Sequence, residues 1–222
     1  MLSVQAQELF FEQTNATSIP FTSMVSSQQT FYRLDFFNLK SSLRSNASQE
    51  EAFISLPNGL GGFSKYRIYE SPVMEEGFKD NYPNIKTYKG QGIDNPQENI
   101  RLSFTSLGFH AIILNTTNGT QIISPHDQKD NLYTSYFYKD LKPAELSFEC
   151  QLIGNSSVSA EDKNFNYQTF NANDGIVRDF RIAISSTSEY SAFYNNNLTD
   201  VISSHVVGVN NINLHYSLAL EF

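Results

Sequence analysis

The sequence predicts an α+β fold that is predominantly antiparallel β, with a sandwich-like or strongly bent sheet over residues 8–153. Three observations favour it: short runs of alternating apolar and polar residues, turn signals between these runs, and 12 Tyr and 18 Phe with no Trp. Alternation with a period of two is typical of strands with one buried face, and aromatic residues are enriched in strands. With 222 residues, 40% of them apolar, the chain is long enough for one or two domains with a core.

The first part of this region predicts a strand, a helix, a second strand and a closing turn. Apolar residues spaced for a helix separate two short runs rich in aromatic and aliphatic residues. A Pro-Asn-Gly tripeptide then ends the second run as a turn. The predicted elements are a strand over Phe31–Phe36, a helix holding Phe37, Leu39 and Leu43, a strand over Ala52–Leu56, and the turn Pro57-Asn58-Gly59.

From Phe63 to Ile153 the pattern predicts a series of strands. Asn118-Gly119 is the strongest short hairpin signal in the sequence. Regularly spaced short strands with turns between them indicate a sandwich or a bent antiparallel sheet. The predicted strands are Phe63–Glu70, Ile85–Tyr88, Ile100–Thr105, Phe109–Asn115, Thr120–Ser124, Asn131–Tyr138 and Leu146–Leu152.

Residues 154–177 have the Asn-, Ser- and Asp-rich composition of a linker. A different unit is predicted over residues 178–222. Apolar residues alternate from Phe180 to Ile184 and again from Tyr216 to Phe222, which indicates two strands. Between them, helical spacing is shown by Leu198, Val201, Ile202, His205, Val209 and Ile212. This β-α-β segment is too short to bury a sizeable core by itself.

Two blocks of the sequence carry a more specific signal than composition and spacing do. They are FISLPNGLGGFSKYRIYESPVM (Phe53 to Met74) and YPNIKTYKGQGIDNPQENIRLSFTSLGFHAIIL (Tyr82 to Leu114). Together they resemble the pro-region of secreted reprolysin-like zinc metalloproteases (metzincins) of environmental Gram-negative bacteria. In that family LP-x-G-x-x-x-F-x-V-x-E-x-PVM precedes YP-x-IKTY-x-G-x-GID-x-P and then IR-x-x-x-T-x-x-GFHA. RDFRIAISSTSEYSAF (Arg178 to Phe193) is similar to the opening strand of the family's catalytic domain.

The resemblance implies a function and a division of the chain. Residues 8–153 would be a β-rich pro-domain that assists folding and latency, and 154–177 the linker. Residues 178–222 would be the truncated start of an α/β metalloprotease domain. The implied partner is the chain's own protease catalytic domain. The implied cofactor is zinc in the parent enzyme, with none in this chain.

The N-terminus favours export. Val4-Gln5-Ala6 has the small-residue pattern of a signal-peptidase site, so residues 1–7 are interpreted as the remnant of a signal peptide. With the resemblance, this predicts a protein secreted through the cell envelope of a Gram-negative bacterium. An ordinary cytosolic N-terminus is the alternative, because such tripeptides are common.

No catalytic residue is predicted. Metzincins bind zinc through H-E-x-x-H-x-x-G-x-x-H on one helix, with the Glu as general base. No two of the four histidines, His110, His126, His205 and His215, are four residues apart. The chain alone is therefore expected to be inactive, and whether it is part of an enzyme depends on the parent protein. His205 is interpreted as a core histidine, and Ser185, Ser186 and Ser188 have no His or Asp partner at a signature spacing.

Cys150 is the one candidate metal ligand. In zymogens of this broad class a pro-region thiolate can occupy the fourth zinc position, which makes Cys150 a possible cysteine-switch ligand to the parent's zinc. The alternative is structural, because Leu146, Phe148, Cys150 and Leu152 share one face of a predicted strand, where a free Cys behaves as a small hydrophobe. The local sequence FECQL also lacks the Pro, Met and Gly that flank the switch cysteine in animal relatives. The buried interpretation is favoured and the switch stays open.

Composition bears on the other partners. A formal net charge of −8 argues against nucleic-acid binding, since there is no basic stripe to contact phosphates. No apolar run approaches the roughly 20 residues of a membrane span, and a single Cys allows no internal disulfide. The alternative function is a free-standing extracellular β-sandwich that serves as a binding or adhesion module. The glycine patch at Gly59, Gly61 and Gly62 is interpreted as a turn.

Overall fold

The computed structural model describes residues 10–14, 29–45, 51–115, 117–127, 131–141 and 182–219. The chain divides into two compact units. One comprises Met1–Pro143 together with Ser186–Phe222, and the other is Ala144–Ser185. All helices and strands of the described residues lie in the first unit. Compactness does not reveal which segments belong to a pro-region, so the domain boundaries given above stay predictions.

The described residues form nine strands in a single antiparallel sheet. The strand order is β1-β2-β9-β8-β7-β6-β5-β4-β3, so most neighbours in the chain are also neighbours in the sheet. The strands are β1 Phe11–Thr14, β2 Gln29–Leu34, β3 Ala52–Pro57, β4 Phe63–Glu70, β5 Lys86–Gly92, β6 Asn99–Thr105, β7 Gly108–Asn115, β8 Gly119–Asp127 and β9 Leu132–Phe137. The helices are α1 Phe36–Ser45, α2 Glu76–Lys79, α3 Ser188–Phe193 and α4 Leu198–Ala219, and a 3-10 turn covers Tyr138–Asp140.

The sheet curls, and its inner face encloses the hydrophobic core. The Phe11 ring of β1 lies 5.7 Å from the Phe109 ring of β7, although three strands lie between these two in the sheet order. Gln121 Nε2 in β8 donates a 2.7 Å hydrogen bond to the Pro57 carbonyl at the β3 edge. The side chains of Leu39 and Leu43 bring α1 into the same core. The predicted fold class is therefore confirmed, as one bent sheet rather than two packed ones.

The strands predicted from Phe63 to Tyr138 are confirmed with small shifts at their ends, as are the two before them and the helix between. Their period-two pattern agrees with burial, since Ile100, Leu102 and Phe104 all face the core. The sequence prediction omitted β1, α2 and α3, which are only four to six residues long. The predicted strand Leu146–Leu152 lies outside the described residues.

The glycines of the KGQGID and GFHA motifs are required by close backbone packing. A Cβ on Gly90 would lie 2.2 Å from the Arg67 carbonyl oxygen in β4, and one on Gly92 would lie 2.3 Å from the Asn95 carbonyl oxygen. Gly108 has a φ of +102° at the β6–β7 turn, a conformation that favours glycine. These motif residues therefore shape the centre of the sheet.

The C-terminal segment differs from the prediction. Its helix is confirmed as α4, but the described parts of the two predicted flanking strands, residues 182–184 and 216–219, are not strands. Residues 182–187 are not in a strand, and Tyr216 continues α4, which ends at Ala219. Two causes favour the helix. Each added residue of an established helix gains one hydrogen bond, and Leu and Ala are strong helix formers.

Local sequence explains how this segment begins its helices. The Thr187 side chain accepts a hydrogen bond from the Tyr190 N–H and caps α3. Asn195 and Asn196 have φ values of 53° and 57°, and the left-handed region that they occupy is one that Asn tolerates. The Asn197 side chain then accepts from the Thr199 N–H at 3.0 Å at the start of α4. The run of asparagines therefore turns the chain from α3 into α4.

Candidate functional site

The most distinctive polar arrangement of the described residues lies where α4 packs on the outer face of β6 and β7. We call it the α4 interface; on the sheet it comprises Ser103, Ser106 and His110, and on the helix Asp200, Ser203 and Asn210. Asn210 is fully buried, and its Nδ2 donates to the Leu102 carbonyl at 2.8 Å and to Ser103 Oγ at 2.9 Å. The helix is thus held to one register on β6.

The other end of the interface is at the β6–β7 turn. The Ser106 hydroxyl donates to Asp200 Oδ1 at 2.5 Å, and Ser106 Oγ lies 2.9 Å from Ser203 Oγ. Ser203 and Asn210 are seven residues apart, almost two helical turns, so they share one side of α4. Both are 0% exposed. The helix therefore buries hydrogen-bonding side chains at two points along the same strand pair.

The sheet side of the α4 interface is polar for a buried surface. Arg101, Ser103 and Thr105 alternate with the core residues of β6 and are buried on its outer face. Burial lowers the pKa of Arg101, whose Nη1 donates to Ser71 Oγ at 3.3 Å. A polar outer face with a covering helix is suited to specific binding of that helix, because buried polar groups require partners in defined positions.

His110 is the titratable group of this surface. It lies directly opposite Ser103 in the β6–β7 register. Its Nδ1 atom is buried and has no hydrogen-bond partner, and the same holds for Asn210 Oδ1. Burial lowers the pKa of His110 to about 4, and the Gly108 backbone offsets part of this shift. His110 is therefore neutral at pH 7.

The other three histidines are spread over β8 and α4. His126 packs edge-on against the Phe31 ring at 5.3 Å. His205 lies on the half-buried side of α4, and His215 is exposed near its end. Among the described residues, no group of three or more His, Cys, Asp or Glu side chains could hold a metal ion. The described histidines therefore do not form a zinc site.

One prediction about α4 is wrong. His205 is not in the core; its Nε2 lies 3.1 Å from Ser186 Oγ, and its ring stacks on Tyr190 at 5.4 Å. Ser186 thus has a histidine partner, which no signature spacing indicated because the pair forms only when α3 packs on α4. Ser186 is exposed, and no described carboxylate is hydrogen bonded to the imidazole. This pair lacks the third group of a catalytic triad.

Cys150 and the linker at residues 154–177 lie outside the described residues. The Cys150 interpretations, switch ligand and buried hydrophobe, therefore both stay predictions. The glycine patch is confirmed as a turn, in which Asn58 Oδ1 accepts from the Leu60 and Gly62 N–H groups, both at 3.0 Å.

A cleft of about 210 Å³ borders the loop that follows Met74. Both lysines that line it are paired: Lys86 Nζ lies 2.6 Å from Glu70 Oε1, and Lys79 Nζ lies 3.6 Å from Glu76 Oε1. The remaining lining is mostly apolar and includes Val73, Met74 and Ile85. This lining points to no particular class of ligand.

The α4 interface was not found by sequence reasoning. The prediction placed the apolar stripe of the helix against the core, yet Leu198 and Ile212 on that stripe are 64% and 49% exposed. The signal that could have found the interface is the pair Ser203 and Asn210, two polar residues at helical spacing on a face that also carries Val206 and Leu214.

Comparisons with protein-family models, with curated proteins and with solved structures find no match to this chain. None of the helices in the described ranges is both long enough and apolar enough to cross a membrane.

Proposed function

We propose that residues 8–153 are the pro-region of a secreted zinc metalloendopeptidase, and that the segment from residue 178 onward opens its protease domain. The pro-region assists folding of the protease and holds it latent. The partner of the sheet is then the chain's own catalytic domain. The protein is exported through the envelope of a Gram-negative bacterium.

The literal wording of the two sequence blocks supports this proposal. The blocks span Phe53 to Met74 and Tyr82 to Leu114, which correspond to β3 and β4 and to β5–β7. Their glycines occupy positions where backbone packing excludes a side chain, as at Gly90 and Gly92. The agreement of these blocks with the family's motifs therefore indicates that this chain and the family have the same sheet structure, since the motif glycines serve backbone packing and not a short functional signature.

The observation that carries the proposal furthest is the place of α4. By the resemblance α4 belongs to the protease domain, and it lies on β6 and β7, the strands of the second block, through the buried contacts of Asn210 and Ser203. A sheet that offers fixed polar partners to a helix lowers the entropic cost of ordering that helix. This is a physical basis for assisted folding. The same contact keeps the helix away from other neighbours, which is a basis for latency.

The parent's zinc belongs, by the resemblance, to an HExxH helix that these 222 residues do not include. None of the described histidines fits a zinc site, so no step of the proposed function passes through them. Cys150 is the remaining candidate ligand. Replacing it in the whole precursor, as Cys150→Ser, separates its two interpretations: a switch thiolate predicts protease activity before processing, and a buried hydrophobe predicts unchanged latency.

The first test is the reading frame downstream of the codon for Phe222, which should encode HExxHxxGxxH. The second is co-expression of the protease domain, from residue 178 onward, with and without residues 8–153. We expect casein hydrolysis only after co-expression and removal of the pro-region, and a chelator should abolish this hydrolysis. The 222-residue chain alone should hydrolyse no casein.

A matched pair of variants tests the role of the α4 interface. Asn210→Ala should reduce the yield of active protease several-fold, whereas Asn211→Ala, one position along α4 and only half-buried, should not. A stop codon shortly after Phe222 would overturn the proposal and favour the free-standing binding module. Equal yields of active protease with and without residues 8–153 would contradict the folding role proposed for the pro-region.

A further inference from the structure

The α4 interface contains two buried polar atoms without a hydrogen bond, His110 Nδ1 and Asn210 Oδ1. Both residues adjoin Ser103: His110 is its cross-strand neighbour, and Asn210 donates to its hydroxyl. An unpaired buried polar atom costs about 1–3 kcal/mol. The unpaired Nδ1 of His110 therefore lies beside the Ser103–Asn210 hydrogen bond that attaches α4, and the attachment is sensitive to any further cost at that point.

Protonation of His110 would add such a cost. The imidazolium carries a charge and a second N–H donor, and both would be buried under α4. The described groups on the elements around it do not offset the charge. Arg101 of β6 and Lys89 of β5 lie on the same outer face and are both cationic, and His126 lies at the end of β8. On α4, Asp200 is hydrogen bonded to Ser106, and His205 and His215 lie on other sides of the helix.

The direction of the pH effect follows from burial. In the docked state burial lowers the pKa of His110 to about 4, and release of α4 raises it towards the ordinary value of about 6.5. Docking is therefore at full strength above pH 6.5, where His110 is neutral in both states. It weakens as the pH falls from 6.5 towards 4, because the undocked state binds the proton more tightly. Below pH 4 the loss in the docking equilibrium is at most on the order of 300-fold, the value reached when release of α4 restores the ordinary pKa in full.

We propose that α4 is an acid-sensitive latch: protonation of His110 releases α4 from the outer face of β6 and β7 while the inner core keeps the sheet folded. The aromatic part of the core does not share this sensitivity, since contacts such as that between Phe104 and Phe109 involve no group that titrates between pH 7 and 4. The inference holds for this chain whether or not the protease role proposed above is correct. If that role is correct, acid weakens the hold of the pro-region on the opening helix of the protease.

The test is amide hydrogen exchange of the full chain, followed by mass spectrometry at several pH values from 7 to 4 and corrected for intrinsic exchange rates. Between these limits, peptides from Ser203 to Leu214 should lose on the order of 100-fold of their protection. Peptides from β3 and β4 should change by less than a few-fold. His110→Gln cannot titrate and should remove the pH dependence of α4, whereas the matched control His215→Gln, exposed on the same helix, should retain it.

Three outcomes would overturn the latch. The first is α4 protection that stays constant down to pH 4. The second is an equal loss of protection in His110→Gln and the wild type. The third is a loss in β3 and β4 that parallels α4, which would mean that acid unfolds the whole unit. Should His110→Gln fail to fold, NMR titration of the His110 ring in the wild type decides: a ring that protonates while α4 remains protected contradicts the proposal.

Discussion

The two faces of the sheet are built from different chemistry. The inner face is closed by apolar and aromatic side chains. Phe109, for example, packs against the rings of Phe11, Phe104 and Tyr133. The outer face under α4 combines buried Val206 and Leu214 with Asn210, Ser203 and their hydrogen bonds to β6 and the turn after it. Apolar burial is strong and non-directional, whereas hydrogen bonds add little net energy but define geometry. The inner face therefore supplies stability, and the outer face supplies a specific and reversible attachment.

The largest effect is expected for a truncation in the inner face. Phe109→Ala removes a fully buried ring at the centre of the aromatic cluster and should lower the free energy of unfolding by about 3–5 kcal/mol. Urea denaturation followed by circular dichroism measures it. The control Phe193→Ala, at a side chain that is 79% exposed, should change stability by less than about 0.5 kcal/mol. Similar losses for both variants would contradict the position of the core.

Backbone packing within the sheet should come next. Gly90→Ala places a Cβ 2.2 Å from the Arg67 carbonyl oxygen, so β4 and β5 must move apart at a cost of about 1–3 kcal/mol. Gly77→Ala is its control, because no atom lies within 4 Å of that added Cβ and the residue is in α2, where Ala is the better helix former. Unfolding midpoints should fall for Gly90→Ala and stay level or rise for Gly77→Ala. A tolerated Gly90→Ala would mean that β4 and β5 are further apart.

A smaller and more local effect is expected at the outer face. Asn210→Ala removes two hydrogen bonds but also the unpaired Oδ1, so the net loss should be about 1 kcal/mol. Amide exchange should show it in α4 and not in β3 or β4. Asn210→Leu, which replaces the amide by an apolar group of similar size, should recover part of the loss at pH 7. If Asn210→Ala weakened β3 and β4 equally, the two faces would not be energetically separate.

The smallest effect is expected for the exposed pair on α3 and α4. Ser186→Ala removes the 3.1 Å contact to His205 at the surface and should change the free energy of unfolding by less than about 0.5 kcal/mol. Reactivity towards a fluorophosphonate probe should be absent both before and after the substitution, because no described carboxylate orients the imidazole. Labelling of the wild type that disappears in Ser186→Ala would identify a nucleophile and contradict this view.

The period-two pattern by itself determined most of the inner face. Alternation at Ile100, Leu102 and Phe104 gave the strand and the face that is buried, since one face of a strand must be apolar to join a core. Turn residues at Asn58 and Gly119 gave the strand ends, because their backbone preferences are local. The glycines of KGQGID were recognised from the sequence as turn signals. The reason for Gly90 is different, because an added Cβ would lie 2.2 Å from a carbonyl oxygen of the paired strand, and this became visible only with the strand pairing.

Tertiary structure alone decided the outer face. The sequence of α4 carries an apolar stripe with Leu198 and Ile212 and a second side with Ser203 and Asn210, and periodicity favours the first as the buried side. The sheet reverses this choice, since Ser103 and the Leu102 carbonyl on β6 offer partners to Asn210. A pattern along one element shows which residues resemble a core, but the buried side is chosen by the chemistry of the surface that it meets. That surface is assembled from residues about a hundred positions away in the chain, and no local signal contains it.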